Sequence, residues 1–120
     1  MEKVNVHEKL ALISDHWNPR IAGELNGQHV KLVKFQGEFV WHDHKDEDEM
    51  FFVIKGAFRM DFRDRSVDLK AGDFLIVPRG VEHRPVAEQE VEVMLFEPAV
   101  IKHTGDVDVP GLTRTHLEIV

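Results

Sequence analysis

The sequence contains no cysteine. That excludes a disulfide framework, a thiol nucleophile and any thiolate zinc finger. A metal site in this chain must therefore use nitrogen and oxygen ligands. Basic residues are also in short supply, with 15 Lys and Arg against 22 Asp and Glu and a formal net charge of −7. Binding to a phosphate backbone draws on a basic patch or a high pI. The scattered Lys and Arg offer neither, so no nucleic-acid partner is expected. No stretch approaches about 18 consecutive apolar residues, so no membrane partner is expected. The opening MEKVNVHEKL is too charged for the apolar region of a signal peptide. The expected location is the cytoplasm. The chain also lacks a fixed-period repeat, a low-complexity segment and any long helical periodicity.

Turn signals recur at short spacing, with strands fitting between them. At 120 residues the chain has the size of one domain able to bury its own core. Ile21 to Leu25 runs into Asn26-Gly27, a strong two-residue hairpin signal. Val30 to Phe35, Phe39 to His44, Met50 to Lys55, Phe58 to Phe62, Val67 to Lys70, Phe74 to Val77 and Val91 to Phe96 read as further strands. Thr113 to Ile119 reads as a short additional one. Many short strands of this kind indicate an all-β barrel or sandwich. Val6 to Ile13 reads as either a short helix or an edge strand, able to cover the barrel surface or cross to a partner subunit. In Glu49 to Lys55 both faces are apolar, so both are expected to be buried. The second face then has to meet another sheet, the N-terminal segment or a second copy.

The richest stretch is GEFVWHDHKDEDEMFFVIKG, Gly37 to Gly56. Side chains two apart on a strand share a face, so His42 and His44 can converge. An acidic turn, Asp46 to Asp48, follows, and Glu49 then opens the next strand facing the histidines. Glu47 and Asp48 are competing carboxylates, but Glu49 alone immediately precedes the apolar run. A fourth donor is best sought at His83, which follows an apolar strand and a Pro78-Arg79-Gly80 turn. His7, His16, His29, His103 and His116 lack any comparable setting and read as ordinary surface residues.

These two stretches resemble the paired motifs of the cupin superfamily. The first motif appears as Gly37, His42-Asp43-His44, four residues, Glu49, six residues and Gly56. The second appears as Gly72, five residues, Pro78-Arg79-Gly80, two residues and His83. Two departures stand out. Four residues separate Gly37 from His42 where the family usually has five, and Ala87 replaces the Asn that closes the second motif.

The resemblance implies one cupin domain over residues 1–120, with its core at about 21–98 and motifs at 37–56 and 72–87. It implies a jelly-roll (double-stranded β-helix) barrel with a short N-terminal extension, and a homodimer. It also implies one divalent metal ion (iron, manganese, zinc or nickel) held by His42, His44, Glu49 and His83. Imidazoles and a carboxylate suit such ions, and open coordination positions would admit a small-molecule ligand.

On strand phase, Glu38 shares the His42 face and is a candidate acid–base group, while Trp41 points to the outer face. Phe51, Met60 and Phe96 are candidate pocket residues. The resemblance is closest to small cupins described as mannose-6-phosphate isomerase-like, but no inward cluster of Lys or Arg suits a phosphosugar. The function expected is metal-dependent catalysis on a small chelating molecule, with oxygenase chemistry ahead of isomerase or lyase chemistry. The alternative is a non-catalytic barrel that binds a sugar or carboxylate.

Overall fold

In a computed structural model, which describes residues 1–99 and 117–120, the chain is an antiparallel all-β jelly roll with one short helix. The elements are α1 (Val6–Leu10), β1 (Arg20–Leu25), β2 (Gln28–Glu38), β3 (Glu49–Lys55), β4 (Ala57–Phe62), β5 (Ser66–Lys70), β6 (Phe74–Val77) and β7 (His83–Pro98). No helix among the described residues is long and apolar enough to cross a membrane. The expectations for His103, for His116 and for the start of the Thr113 to Ile119 strand fall outside the described residues. Ile119 itself pairs in parallel with Ile21 at the edge of β1.

The hairpin at Asn26-Gly27 forms as the dipeptide dictates. Asn26 and Gly27 have φ of 52° and 78°, the left-handed pair that matches the twist of flanking strands. β1 then pairs with β2, and β2 with β7.

β7 is the organising strand. It begins at His83, eight residues before the strand read from the sequence at Val91, and runs 16 residues. Its first part pairs with β4, as in Met60 with Pro85. Its second part pairs with β3 on one side and β2 on the other. Pro85 carries no N–H and cannot donate to the ladder, a feature that argues locally against a strand. The carbonyl of Pro85 nevertheless accepts from Phe39 N at 3.0 Å.

The strand expected over Phe39 to His44 does not form as a regular element. β2 instead extends to Glu38 through a register shift between Phe35 and Gly37. Between Glu38 and β3 the chain meets β7 through Phe39 N on Pro85 O and an isolated bridge between His42 and His83.

Strand alternation sorts the apolar residues into two sets. Val33, Phe35, Phe51, Val53, Phe58, Met60, Val91, Val93 and Leu95 fill the barrel interior. Leu10 and Ile13 pack on Leu32, with Ile54 and Met94 against them, on the outside. The N-terminal segment is thus a helix that covers the outer face of β2, β3 and β7. Asn5 caps it by accepting from Glu8 N at 3.0 Å, which satisfies one of the free donors of the first turn. This answers half of the question posed by the two-faced strand β3, because Ile54 is covered from within the chain.

Gly56 closes the turn between β3 and β4 with φ of 90°. A Cβ there would lie 3.1 Å from Glu90 O and 3.3 Å from Val91 Cα. Both the turn and the close approach of β7 therefore require glycine.

Candidate metal centre

The two motif loops are tied together by backbone before any side chain acts. His42 N donates to His83 O at 3.1 Å, and His83 N to His42 O at 2.9 Å. Gly80 N donates to His44 O at 2.7 Å. Asp48, in the acidic turn, accepts from Arg79 N at 2.9 Å. The charge of that turn is therefore spent on fixing Pro78-Arg79-Gly80 beneath His44. Asp48 is exposed and lies outside the cluster of possible ligands.

His42, His44, Glu49 and His83 are all buried, and one possible ligand atom from each lies within 4.8 Å of the others. Carbonyl oxygens can only accept, so the ring bonds fix two tautomers. His42 Nδ1–H donates to Val40 O at 2.9 Å, and His83 Nδ1–H donates to Val81 O at 2.9 Å. Each Nε2 is left with its lone pair facing inward, the usual arrangement for a histidine prepared to ligate.

Glu49 Oε1 lies 3.3 Å from His44 Nε2 and 3.6 Å from His83 Nε2. None of these three atoms has a hydrogen-bond partner among the described residues. Buried polar atoms are ordinarily satisfied. Three orphans that converge on one point fit a cation that the protein itself does not supply.

Electrostatics agree. Burial, reinforced by the neighbouring His83, pushes His42 down to about 3, so its ring is neutral near neutral pH. Burial opposes the Glu49 carboxylate, but its neighbours Glu97, His44 and His83 outweigh it and hold Glu49 well below the usual carboxylate range. Three imidazoles and one carboxylate match a borderline divalent ion.

The family model described as "Cupin domain" (Cupin_2) matches residues 29–98, which take in both histidine motifs. The chain is a cupin. It is similar to a cupin-2 domain containing protein from Shewanella frigidimarina, with 45% identity, 79% of this chain and 93% of that one covered, and a TM-score of 0.78. It is also similar to protein NMB1881 from Neisseria meningitidis, with 33% identity, 82% and 100% coverage, and a TM-score of 0.75. Among curated proteins, the uncharacterized YdbB of Bacillus subtilis is 45% identical over 62 residues, or 51% of this chain and 55% of YdbB. The chain spans just over half the length of the curated relatives it matches.

Within this cupin, a cavity of about 20 Å³ adjoins His42 and Glu49, room for about one water molecule. Phe51 lines it as expected, together with Phe35, Phe39, Leu95 and Trp17. Met60 is fully buried in the same core but does not reach the cavity.

Two pocket expectations are corrected. Glu38 is exposed and accepts from Arg84 Nη1 at 3.0 Å. The irregular backbone at Val40 and Trp41 slips the alternation, so Phe39 and His42 both face inward, with ring centroids 5.4 Å apart. Phe96 points the other way, opposite Val30 and Met50. It is out of phase with Val91, Val93 and Leu95, and Leu95 takes the pocket position.

Other side chains also find partners. Trp41 lies partly buried beneath the Arg63 and Arg84 guanidiniums, at 3.9 and 4.9 Å. Arg84 also donates to Asp61 at 3.0 Å. Arg59, Ser66 and Arg84 together hold the Asp61 carboxyl below its usual range. Of the other described histidines, His7 is exposed, as expected. His16 accompanies Glu90 at 2.7 Å. His29 is largely covered on β2, with a buried Nδ1.

Sequence reading missed three residues. Trp17 has φ of 59°, rare for so bulky a residue, and stacks on Phe35 and Phe39 at 4.5 Å each. Its only local signal was the Asn18-Pro19 turn beside it. Lys31 and Glu97 are both fully buried and joined at 2.7 Å. Glu97 continues the inward phase of Val91, Val93 and Leu95, so alternation carried the signal. Burial, then the charge of Glu49, pushes the Glu97 carboxyl well above the usual range.

Proposed function

We propose that this cupin is a metal-dependent enzyme acting on a small, partly apolar molecule that chelates the metal, with oxygenase-type chemistry. One observation carries the reading. Among the described residues lining the cavity, His42 and Glu49 are the only ones with a polar side chain besides the Trp17 indole, and both belong to the candidate ligand set. The remainder are aromatic, aliphatic or proline.

An isomerase or lyase needs a positioned acid or base within reach of the reacting carbon. Among the described residues the cavity lining offers no such group beyond the ligand set, because Glu38 lies outside. Nor do the described lining residues include Lys or Arg to meet a sugar phosphate, which weighs against a phosphosugar substrate.

His42, His44 and His83 would hold the ion through Nε2 and Glu49 through Oε1. The bound ion would supply Lewis acidity to a chelating oxygen and open positions for exchangeable ligands. The chain does the rest. Val40 O and Val81 O keep two imidazoles in the ligating tautomer. Trp17, Phe39 and Phe51 exclude water, which strengthens polar contacts inside the site.

The test is an oxygen electrode run on the iron-loaded full chain with a panel of enols, catechols and thiols. Substrate-dependent oxygen uptake that vanishes in His83→Ala is the expected result. Ligand binding by calorimetry without any uptake would overturn the oxygenase reading in favour of a non-catalytic binding barrel.

A further inference from the structure

Lys31 and Glu97 form a fully buried ion pair, Nζ to Oε1 at 2.7 Å, from residues 66 apart in sequence. Such a pair is an expensive choice for a barrel interior. Apolar residues of similar volume are often as stabilising or more so, because desolvation offsets the Coulombic gain. Its position suggests another use. Lys31 shares the inward face of β2 with Val33 and Phe35, and Glu97 shares that of β7 with Leu95. The pairing of Met50 with Phe96 puts Glu49 and Glu97 at adjacent cross-strand positions, both facing inward. Opposed residues of this kind have side chains in contact. Glu97 Oε1 is taken by Lys31, while Oε2 accepts from no N–H or hydroxyl among the described residues. Continued by one residue, the register of β3 against β7 sets the buried Glu49 opposite the buried Glu97.

We infer that Glu97, anchored by Lys31, is a positioning residue that fixes the Glu49 carboxylate so that Oε1 faces His44 and His83. Neither Lys31 nor Glu97 belongs to the ligand set. They act through Glu49, as outer-shell partners commonly orient a ligating group. The anchor explains why a lysine is tolerated in the interior. Without it the Glu97 side chain could swing along the strand, and Glu49 would lose the contact that selects one of its rotamers.

This inference rests on the metal-site reading, and the experiment separates the two. The untagged, metal-free full chain is titrated with Co²⁺ and Zn²⁺ against a chromophoric chelator, with the Co²⁺ absorption spectrum recorded. Failure of the native chain to bind either ion sinks the metal-site reading itself. Given native binding, Lys31→Met/Glu97→Leu, which keeps the interior filled and uncharged, is expected to bind about 10–100-fold more weakly and to show an altered Co²⁺ spectrum. Glu97→Gln keeps the length of the side chain and an oxygen acceptor for Lys31, and is expected to stay close to native affinity. Glu97→Asp withdraws the carboxyl by one methylene and is expected to lose about tenfold, a result independent of whether the double variant folds. A purely structural role would lower thermal stability and leave affinity and spectrum alone. Native affinity in the folded double variant or in Glu97→Asp overturns the inference, as does a loss in Glu97→Gln equal to that of Glu97→Asp.

Discussion

His42 and His83 face each other across an isolated antiparallel bridge, with ring centroids 4.2 Å apart and reciprocal backbone hydrogen bonds. They lie 41 positions apart in the chain (83 − 42), yet one bridge sets the spacing of both candidate ligand rings. The two motifs are therefore a single structural unit.

That unit predicts graded losses of metal. Elemental analysis of the chain purified without a tag, after adding iron, manganese, nickel or zinc, should find close to one equivalent. A value under about a tenth would sink the assignment. His42→Ala and His83→Ala should each weaken binding by more than about 100-fold, beyond the loss of an outer-shell partner. His16→Ala, at a half-buried surface site, should leave affinity unchanged.

Acid should destabilise the metal-free protein earlier than its carboxylates alone would require. In the unfolded chain His42 takes a proton near 6.5, whereas in the folded one it does so only at about 3. Between those values the unfolded state binds the extra proton, so stability falls as pH falls, by up to about 1.4 kcal/mol per pH unit. Glu49, held low in the folded state, adds loss in the same direction below 4.5. Urea midpoints measured from pH 7 to 4 should decline, and His42→Phe should flatten the part above pH 5. An unchanged slope in that variant would contradict a neutral, buried His42.

Trp17 should act as both wall and clamp. Its Nε1–H donates to Gln36 O at 2.9 Å and its backbone N to Lys34 O at 2.9 Å, so the ring is held at both ends over Phe35 and Phe39. Trp17→Ala should cost about 3–5 kcal/mol of unfolding free energy and enlarge the cavity beside His42. In a Trp41→Phe background, Co²⁺ should quench Trp17 fluorescence, because ring and site share one cavity. Absent quenching at saturating metal would place the ion elsewhere.

The outer sheet face carries the homodimer expectation. Phe74 and Ile76 on β6 are 60% and 52% exposed, and they pair with Phe52 and Met50 on β3, beside Met94 and Phe96 on β7. We propose that a second copy covers this patch, since contiguous exposed apolar surface ordinarily marks an interface. Light scattering at micromolar concentration should give a dimer mass for the native chain and a monomer mass for Phe74→Lys/Ile76→Glu. A monomeric native chain would refute it.

What the sequence determined by itself was whatever short-range chemistry can specify. The Asn26-Gly27 turn, the alternation in β3 and β4, and the glycine at position 56 need only local backbone preferences and a polar–apolar period. The spacing His42, His44, Glu49 and His83 belongs here too, because ligand types at motif spacing are a local property of the chain. Tertiary structure decided the rest. The phase slip at Val40 and Trp41 arises where β2 leaves its sheet to meet His83, and it turned Glu38 outward. The sixteen-residue β7 forms despite Pro85 because β3 and β4 supply its partners. That pairing sends Leu95 and Glu97 inward and Phe96 outward. Trp17 and Lys31 join the site only through barrel closure, since each is brought beside residues far along the chain. Side-chain facing is a period-two quantity, so one irregular residue reverses it, and only the assembled sheet records where that residue lies.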